Sequence, residues 1–405
     1  MQHAPSANGR SLVDGDVVAG VLSGTSADGI DVALVRIRLD GPSRVGSIEP
    51  IHGETAPFPG DLGPRVQGLL GGEQMALADL ARLHRDLGTA FGAAARAAAD
   101  RASVPRLALV ASHGQTVFHH DGDPAAIGAT LQLGDGDHVA EAAGCAAATD
   151  FRMRDCAAGG EGAPLVALVD DVLFAKAPRP LAILNLGGIA NWTVLLGDAP
   201  ALAADTGPAG ALLDGLARRR LGAPYDAGGA VAARGEADER LIARILDHPF
   251  LARSWPKSTG RDTFDAAYLD RVVAAGERLS DADLLASAAV AVARSAAEGL
   301  VSAPWPSGGS AAGLEVAIAG GGVHNRALRA ALQEELSRAL PRARAGVTLA
   351  GVHASDRFGV SVDGREALAF AVLGARLVIG EPSTSPAATG ALGGRVLGKW
   401  SPPVV

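Results

Sequence analysis

Two stretches of this chain, roughly half its length apart, repeat one pattern, and few folds can accommodate that repetition. Residues 17–37 read VVAGVLSGTSADGIDVALVRI: an apolar run, a polar glycine-rich turn at 23–29, and a second run in which Ile30, Val32, Leu34 and Ile37 are spaced by other residues. β-Branched residues bounded by Gly, Ser and Asp predict strand, turn, strand. Residues 181–196, LAILNLGGIANWTVLL, again read as an apolar strand, a glycine-centred turn at 185–191 and a second apolar strand. A supersecondary unit recurring at this distance predicts two related halves.

The first turn has a chemistry of its own. Gly24 and Gly29 let backbone amides approach a ligand, and Thr25 and Ser26 add hydroxyl donors, a concavity suited to phosphate oxygens. Asp28 and Asp31 would repel a phosphate unless a divalent cation lay between, so the turn implies Mg²⁺ held largely through water and phosphate oxygens. A tight hairpin whose Asp and Ser side chains cap their own turn fits the same residues, and this stretch alone leaves both readings open.

At 405 residues the chain exceeds one typical core, so two domains are expected. An apolar share of 48% with 53 glycines and only 4% aromatics fits an α/β enzyme with many tight turns. The net charge of −8 excludes a nucleic-acid partner, which would require a basic patch. Cys145 and Cys156 are too few for a disulfide framework and lack metal-ligand spacing, so a reducing cytosol is expected. The N-terminus has no apolar h-region, and the longest apolar stretch, 164–175, is broken by Asp170 and Asp171. A soluble, cytoplasmic protein that neither spans nor anchors in a membrane follows as an expectation.

Further along, a third strand is expected near 45–54. A long helix over 73–102 follows from the spacing of Leu77, Leu80, Leu83, Leu87 and Phe91. A short buried strand at 107–111 delivers Ser112, His113, Gln115 and Thr116 at its carboxyl end, where ligands collect in open α/β sheets; His113 could equally bond its own neighbours. A strand at 130–133 places Gln132 at the same edge, and His119 and His120 read as solvated loop residues. Residues 149–164 are dense in charge and glycine and precede a helix at 165–175. Arg152 and Arg154 share a strand-face parity, suited to clamping a carboxylate or polarising a hydroxyl, or to pairing with Asp150 or Asp155.

Asp205 lies where a strand stops and a helix opens, a place for a catalytic carboxylate or for a plain N-cap. Lys257, Ser258 and Arg261 stand in a polar loop as candidate anion contacts. A strand at 316–319 runs into Gly320, Gly321 and Gly322 and then a helix, a nucleotide-type junction that is weak alone. A last helix, 365–380, begins with Glu366.

No G-x-x-x-x-G-K-[ST] occurs, and the first glycine turn leads into a strand where a dinucleotide turn would lead into a helix. Two glycine hairpins in tandem halves plus a late glycine junction suit a two-domain α/β clamp with a central cleft. That is the ribonuclease H-like architecture of actin-like ATPases and sugar kinases. The expected first domain covers 1–145 with the tail 385–405, and the second covers 146–384.

The motifs GTSADGID (24–31), SHGQT (112–116), DFRMRDCAAGGEGAPLV (150–166), NLGGIAN (185–191), DTGP (205–208), PKSTGR (256–261), GGGVHN (320–325), EALAFA (366–371) and TGALG (389–393) span nearly the whole chain. In this order they resemble the anhydro-N-acetylmuramic acid kinases. The resemblance implies an ATP-dependent enzyme that opens a 1,6-anhydro sugar with water and phosphorylates the freed oxygen, in cell-wall recycling. It implies ATP phosphates at Gly24, Thr25, Ser26, Asp28, Gly29 and Asp31, with Gly187 and Gly188 in the second hairpin. Mg²⁺ would sit at Asp28 and Asp31, and adenosine beside Gly320, Gly321, Gly322 and Asn325. Asp205 matches the family's catalytic base, and His113, Gln132, Arg154 and Glu366 are the sugar-pocket candidates. A homodimer is the implied assembly. The chain departs from the family in having Ala209 and Gly210 where Gly-Asn is usual, which bears on sugar specificity. A kinase of another anhydro-sugar such as levoglucosan, or an actin- or chaperone-type ATP switch, are the alternative readings.

Overall fold

The computed structural model describes residues 11–24, 27, 29–119, 128–197, 201–259, 263–305, 313–343 and 347–403. The chain forms two compact units, one made of residues up to 119, 128–175 and 364–403, the other of Lys176–Asp363.

The first unit starts with the expected hairpin, β1 (Val17–Ser23) and β2 (Ile30–Leu39), continued by β3 (Val45–Ala56). β1 is buried at every position, as its unbroken apolar run requires, whereas β3 alternates and loses burial towards its end, as suits an edge strand. Helices α1 (Leu62–Leu70) and α2 (Leu77–Arg101) follow. α2 buries Leu83, Leu87 and Phe91 against β1, β2 and the next strand, while Leu77 at its first turn is 81% exposed. Then come β4 (Leu109–His119), β5 (Thr130–Leu133), α3 (Gly136–Ala143), β6 (Ala146–Thr149), α4 (Phe151–Cys156) and α5 (Asp170–Leu173).

The second unit holds β7 (Leu181–Leu186), β8 (Ile189–Leu195), β9 (Leu202–Pro208), α6 (Gly210–Leu221), α7 (Glu239–Leu246), α8 (Ala266–Ala275), α9 (Asp281–Val301), β10 (Leu314–Ala319), α10 (Arg326–Ala343) and β11 (Leu349–Ala354). α9 is long and apolar enough to cross a membrane, but it is a core helix, with 78% of its apolar window buried among α6, α7, α10 and the sheet. The chain then returns to the first unit with α11 (Arg365–Ile379), α12 (Pro386–Thr389) and β12 (Lys399–Ser401).

The repeat seen in the sequence is a repeat of topology. In the first sheet the order is β12-β6-β4-β1-β2-β3, with β1, β2 and β3 an antiparallel meander, β4 parallel to β1, and β6 parallel to β4. In the second the order is β11-β10-β7-β8-β9, again an antiparallel meander followed by two strands parallel to its first. Each unit is therefore a ribonuclease H-like sheet, and the mixed α/β class read from the two hairpins holds.

The unit boundaries fall elsewhere than the 145/146 and 384/385 expected from the sequence. β6 pairs with β4, so residues 146–175 stay with the first unit. α11 lies on β1, β2 and β4, which moves the second boundary forward to 363/364. That contact is backbone against backbone: a Cβ on Gly20 would stand 1.7 Å from the carbonyl oxygen of Ala367. Two further expectations change. Residues 165–175 form a 3₁₀ turn and the single-turn α5 in place of one helix, and SHGQT lies inside β4, which runs on to His119 because β5 pairs with it.

Candidate active site

In the first unit the glycine turn between β1 and β2 is held from beneath by two amides. Gln67 Nε2 donates to the Ala27 carbonyl at 3.1 Å, and Gln115 Nε2 donates to the Gly24 carbonyl at 3.3 Å. Ala27 is buried and takes φ 50°, a left-handed conformation unusual for alanine. Thr25, Ser26 and Asp28 lie outside the described residues. Ser23 is the β1 partner of Gln115, and Ser112 that of Val21. Among the described residues, the buried Ser23 Oγ, Ser112 Oγ and Gln115 Oε1 have no hydrogen-bond partner. Buried polar atoms call for partners, so this group at the root of the turn fits a site that takes up phosphate oxygens and hydrated Mg²⁺. Asp31, at the start of β2, accepts from Thr55 Oγ1 at 2.6 Å, and among the described residues no three acidic, His or Cys side chains cluster as a metal cage.

His113 is buried in β4 with its ring against Phe370 of α11, centroids 4.5 Å apart. Arg152 Nε donates to His113 Nε2 at 2.9 Å, and His113 Nδ1 lies 3.1 Å from the Gly114 carbonyl. The guanidinium needs an acceptor at Nε2, which puts the proton on Nδ1 and makes the ring neutral. Burial, aided by Arg152, holds the His113 pKa well below the ordinary histidine value. His113 thus bonds its neighbours, the alternative the sequence left open, and its visible task is to orient Arg152.

Arg152 also donates to the Gly162 carbonyl at 2.7 Å. The shared strand parity of Arg152 and Arg154 does not hold, because both sit on α4, where residues two apart point in different directions. Arg154 is exposed, with no ion pair among the described residues, which leaves its guanidinium available. Gln132 stands opposite Thr116, donates to Thr130 Oγ1 at 2.8 Å, and keeps a buried Oε1 without a partner among the described residues.

Glu366 is solvent-accessible in the first turn of α11. The protein packed around it nevertheless raises its pKa, Asp31 adds to that, and Arg365 and Arg152 oppose it. Beside it Arg365 forms a buried, two-pronged ion pair with Asp170 of α5, with Nε 3.1 Å from Oδ1.

Sequence reasoning missed Asp155. Its buried carboxylate accepts from Thr389 Oγ1 at 2.8 Å and from the Gly162 amide at 2.9 Å, tying the TGALG segment to the Gly162 loop that Arg152 also grips. Burial raises its pKa, and these two donors counter the rise. The signal was present, since Asp155 lies in the charged run together with Arg152 and Arg154.

In the second unit Asp205 is not a helix cap. It lies inside β9 opposite Asn191, and the residue before α6 is Ala209, which makes no side-chain cap. The Asp205 amide donates to the Lys257 carbonyl at 2.9 Å. Its Oδ2 accepts from the Thr259 amide at 2.8 Å and from Ser258 Oγ at 3.3 Å. The PKST segment is thus laid along the edge strand β9 and delivers donors to one carboxylate that is 6% exposed. Donors gripping one oxygen fix the direction in which a carboxylate points.

The Gly187–Gly188 turn does something different from the first hairpin. The Gly187 carbonyl accepts from the Gly210 amide at 2.9 Å, and the Gly188 carbonyl accepts from the amides of Ala209 and Ala211 at 2.9 and 3.0 Å. These bonds consume the leading amides of α6 and fix the segment just after Asp205. A Cβ on Gly188 would meet nothing within 4 Å, so that side of the turn is open.

Gly320 takes φ 82° and leads into a 3₁₀ turn over Gly321–His324, with Gly321 exposed. Asn325 Oδ1 caps α10 through the Leu328 amide at 3.0 Å. The loop at 226–232, read from sequence only as polar, packs here. Asp226 accepts from the amides of Val231 and Ala232 at 2.9 Å each, and a Cβ on Gly229 would lie 2.1 Å from Asn325 Oδ1.

The family model for anhydro-N-acetylmuramic acid kinase matches residues 16–403. A protein of that name from Gloeobacter violaceus is 38% identical over 94% of this chain and 97% of its own length. Another from Xanthomonas oryzae pv. oryzae is 39% identical over 96% of this chain and 98% of its own. Among solved structures, the ROK hexokinase from Thermus thermophilus aligns over 88% of this chain and 97% of its own, at 16% identity and a TM-score of 0.38.

Proposed function

Since the chain belongs to the anhydro-N-acetylmuramic acid kinase family and is an ATP-dependent sugar kinase, we propose that Asp205 is the base that activates water for opening of the anhydro ring. The substrate is 1,6-anhydro-N-acetylmuramic acid and the product N-acetylmuramic acid 6-phosphate, a step of peptidoglycan recycling.

Water adds to the anomeric carbon while its proton passes to the Asp205 carboxylate, and the bond from that carbon to the position-six oxygen breaks. The freed oxygen attacks the γ-phosphorus of ATP, ADP departs, and Asp205 returns its proton to solvent. What supports this assignment is the clamp on Oδ2 by the Thr259 amide and Ser258 hydroxyl, which orients the carboxylate before substrate arrives.

On the same reading the 24–31 turn takes the ATP phosphates, with Gly24, Gly29 and the flanking Thr25 and Ser26 as donors. Asp31, together with Asp28, would hold Mg²⁺ through water. That cation supplies neutralisation of the charge on the transferred phosphoryl group. Gly187 and Gly188 line the open turn of the second unit, and Gly320, Gly321, Gly322 and Asn325 with the 226–232 loop take the adenosine. Gln132, Arg154 and Glu366 contact the sugar, and His113 acts through Arg152, whose charge suits the substrate's lactyl carboxylate. A homodimer and a cytoplasmic location complete the reading. Two buried free thiols agree with a reducing compartment.

The test is mass spectrometry of the product formed with ATP, Mg²⁺ and the anhydro-sugar in ¹⁸O-water. One ¹⁸O on the anomeric hydroxyl of a 6-phosphosugar is expected. ADP without phosphosugar would overturn the substrate, and label-free phosphosugar would overturn hydrolytic opening.

A further inference from the structure

Lys257 is a buried cation that no step above uses. It is 6% exposed, and its Nζ donates to the carbonyls of Phe250 and Leu251 at 3.3 and 3.0 Å while standing 4.8 Å above the Phe250 ring. No carboxylate bonds it among the described residues. Burying an ammonium without an anionic partner is costly, and a neutral side chain of similar volume would fill the same space without that cost. The position therefore calls for a reason beyond packing.

That reason lies one bond away along the chain. The Lys257 carbonyl receives the Asp205 amide, and the next two residues supply the hydroxyl and amide that grip Asp205 Oδ2. We propose that Lys257 is the positioning residue for Asp205: its ammonium anchors residues 257–259 to the 249–252 turn, and its charge favours the ionised carboxylate. The inference rests on Asp205 being the base.

Burial pulls the Lys257 ammonium below the ordinary lysine value and Arg253 pushes the same way, while Asp205 opposes them, which is the reciprocal of the charge effect proposed. The other groups near Asp205 among the described residues are these. Asn191 faces it from β8 and is neutral, Ser295 of α9 donates to the Thr206 carbonyl, and Arg294 of α9 is bound to Glu239 and Glu335. Arg253 on the 249–253 turn is exposed.

Lys257→Met keeps the stem and removes the ammonium, and Lys257→Arg keeps a cation of different shape. The assay is the pH profile of kcat for both variants with saturating ATP, Mg²⁺ and anhydro-sugar, alongside calorimetric binding of a non-hydrolysable ATP analogue to count competent protein. For Lys257→Met, a fall in kcat of about tenfold or more is expected with KM for the sugar nearly unchanged. Its acid limb should move up by about one pH unit, and Lys257→Arg should restore part of that shift. A Lys257→Met enzyme whose kcat per competent site and acid limb match the parent overturns the inference. So does a loss of kcat with no movement of the limb, which would mark a merely structural lysine. Asp205→Asn is run in parallel. Turnover by that variant would overturn the base assignment itself, a result distinguishable from either outcome at Lys257.

Discussion

Asp170 and Arg365 offer a quantitative test of how the first unit is held together. Both are essentially removed from water, with side-chain exposures of 0% and 3%, and the pair is two-pronged. Replacing Asp170 by Asn keeps the volume but leaves the Arg365 guanidinium buried without its counter-charge. Breaking such a pair from one side costs about 3–5 kcal/mol. At roughly 2–4 °C per kcal/mol for a unit of this size, the melting transition of the first unit should fall by about 6–20 °C. Arg365→Met alone should also be destabilising, because the buried Asp170 carboxylate loses its guanidinium partner. The double variant Asp170→Leu with Arg365→Met removes both ions and should recover most of the loss, since a well-packed apolar pair often matches a buried ion pair. Scanning calorimetry of the parent, the single variants Asp170→Leu and Arg365→Met and the double variant, with far-UV circular dichroism as a second probe, closes the cycle. If the double variant melts at the sum of the two single losses, the penalty does not come from stranded charge and the argument fails. A drop below about 2 °C for Asp170→Asn would show that solvent reaches the pair.

Gly20→Ala should destabilise the first unit by about 3 kcal/mol, read as a urea midpoint shift, because the new Cβ meets the Ala367 carbonyl at 1.7 Å and α11 must lift from β1. Stability should also depend on His113. Its folded pKa lies well below 6.5, so the unfolded chain binds the extra proton, and the contribution is full above about pH 6.5 and lost as pH falls towards the folded value. Urea midpoints from pH 7.5 down to 5 should fall more steeply for the parent than for His113→Gln, and parallel curves would remove His113 from the account. Thr389→Val strands one oxygen of Asp155 and should cost about 1–3 kcal/mol in chemical denaturation, with a higher KM for the sugar because the Gly162 loop that holds Arg152 loosens. Burial pushes the thiols of Cys145 and Cys156 up to about 11, so neither should react with iodoacetamide in the native protein at pH 8, and rapid alkylation of either would contradict their burial.

The sheet cores were legible in the sequence because their residues announce themselves locally. The runs at 17–22 and 181–186 are mostly apolar, β-branched or leucine-rich and lead into glycine turns, and the structure turns each into the first strand of a meander. Asp205 was expected where a strand stops and instead lies inside β9, and the way it is held was not legible, since Lys257, Ser258 and Thr259 are some fifty residues away and meet it only when their segment lines the edge of β9. The strand parity given to Arg152 and Arg154 failed because a six-residue helix leaves too short a period to tell from a strand. His113 and Asp155 show the same limit. Whether a polar side chain binds a ligand or a neighbour depends on which distant residue is brought against it, here Arg152 for one and Thr389 for the other. The unit boundaries were misplaced for a related reason, since no local feature of 365–379 says that its small residues will lie against Gly20.

The placement of α11 has a consequence for synthesis. Residues 176–363 are contiguous, so the second unit can complete its sheet as soon as β11 has left the ribosome. The first unit cannot, although it begins first: the face of β1, β2 and β4 that α11 covers stays bare, and β6 lacks β12, until the last forty or so residues emerge. The amino-terminal half therefore waits as an open sheet during translation of the second unit, with its apolar strands exposed to chaperones or to one another. In a cell, a chain stalled after β11 has cleared the ribosome but before α11 has done so should carry one finished unit and one sticky one.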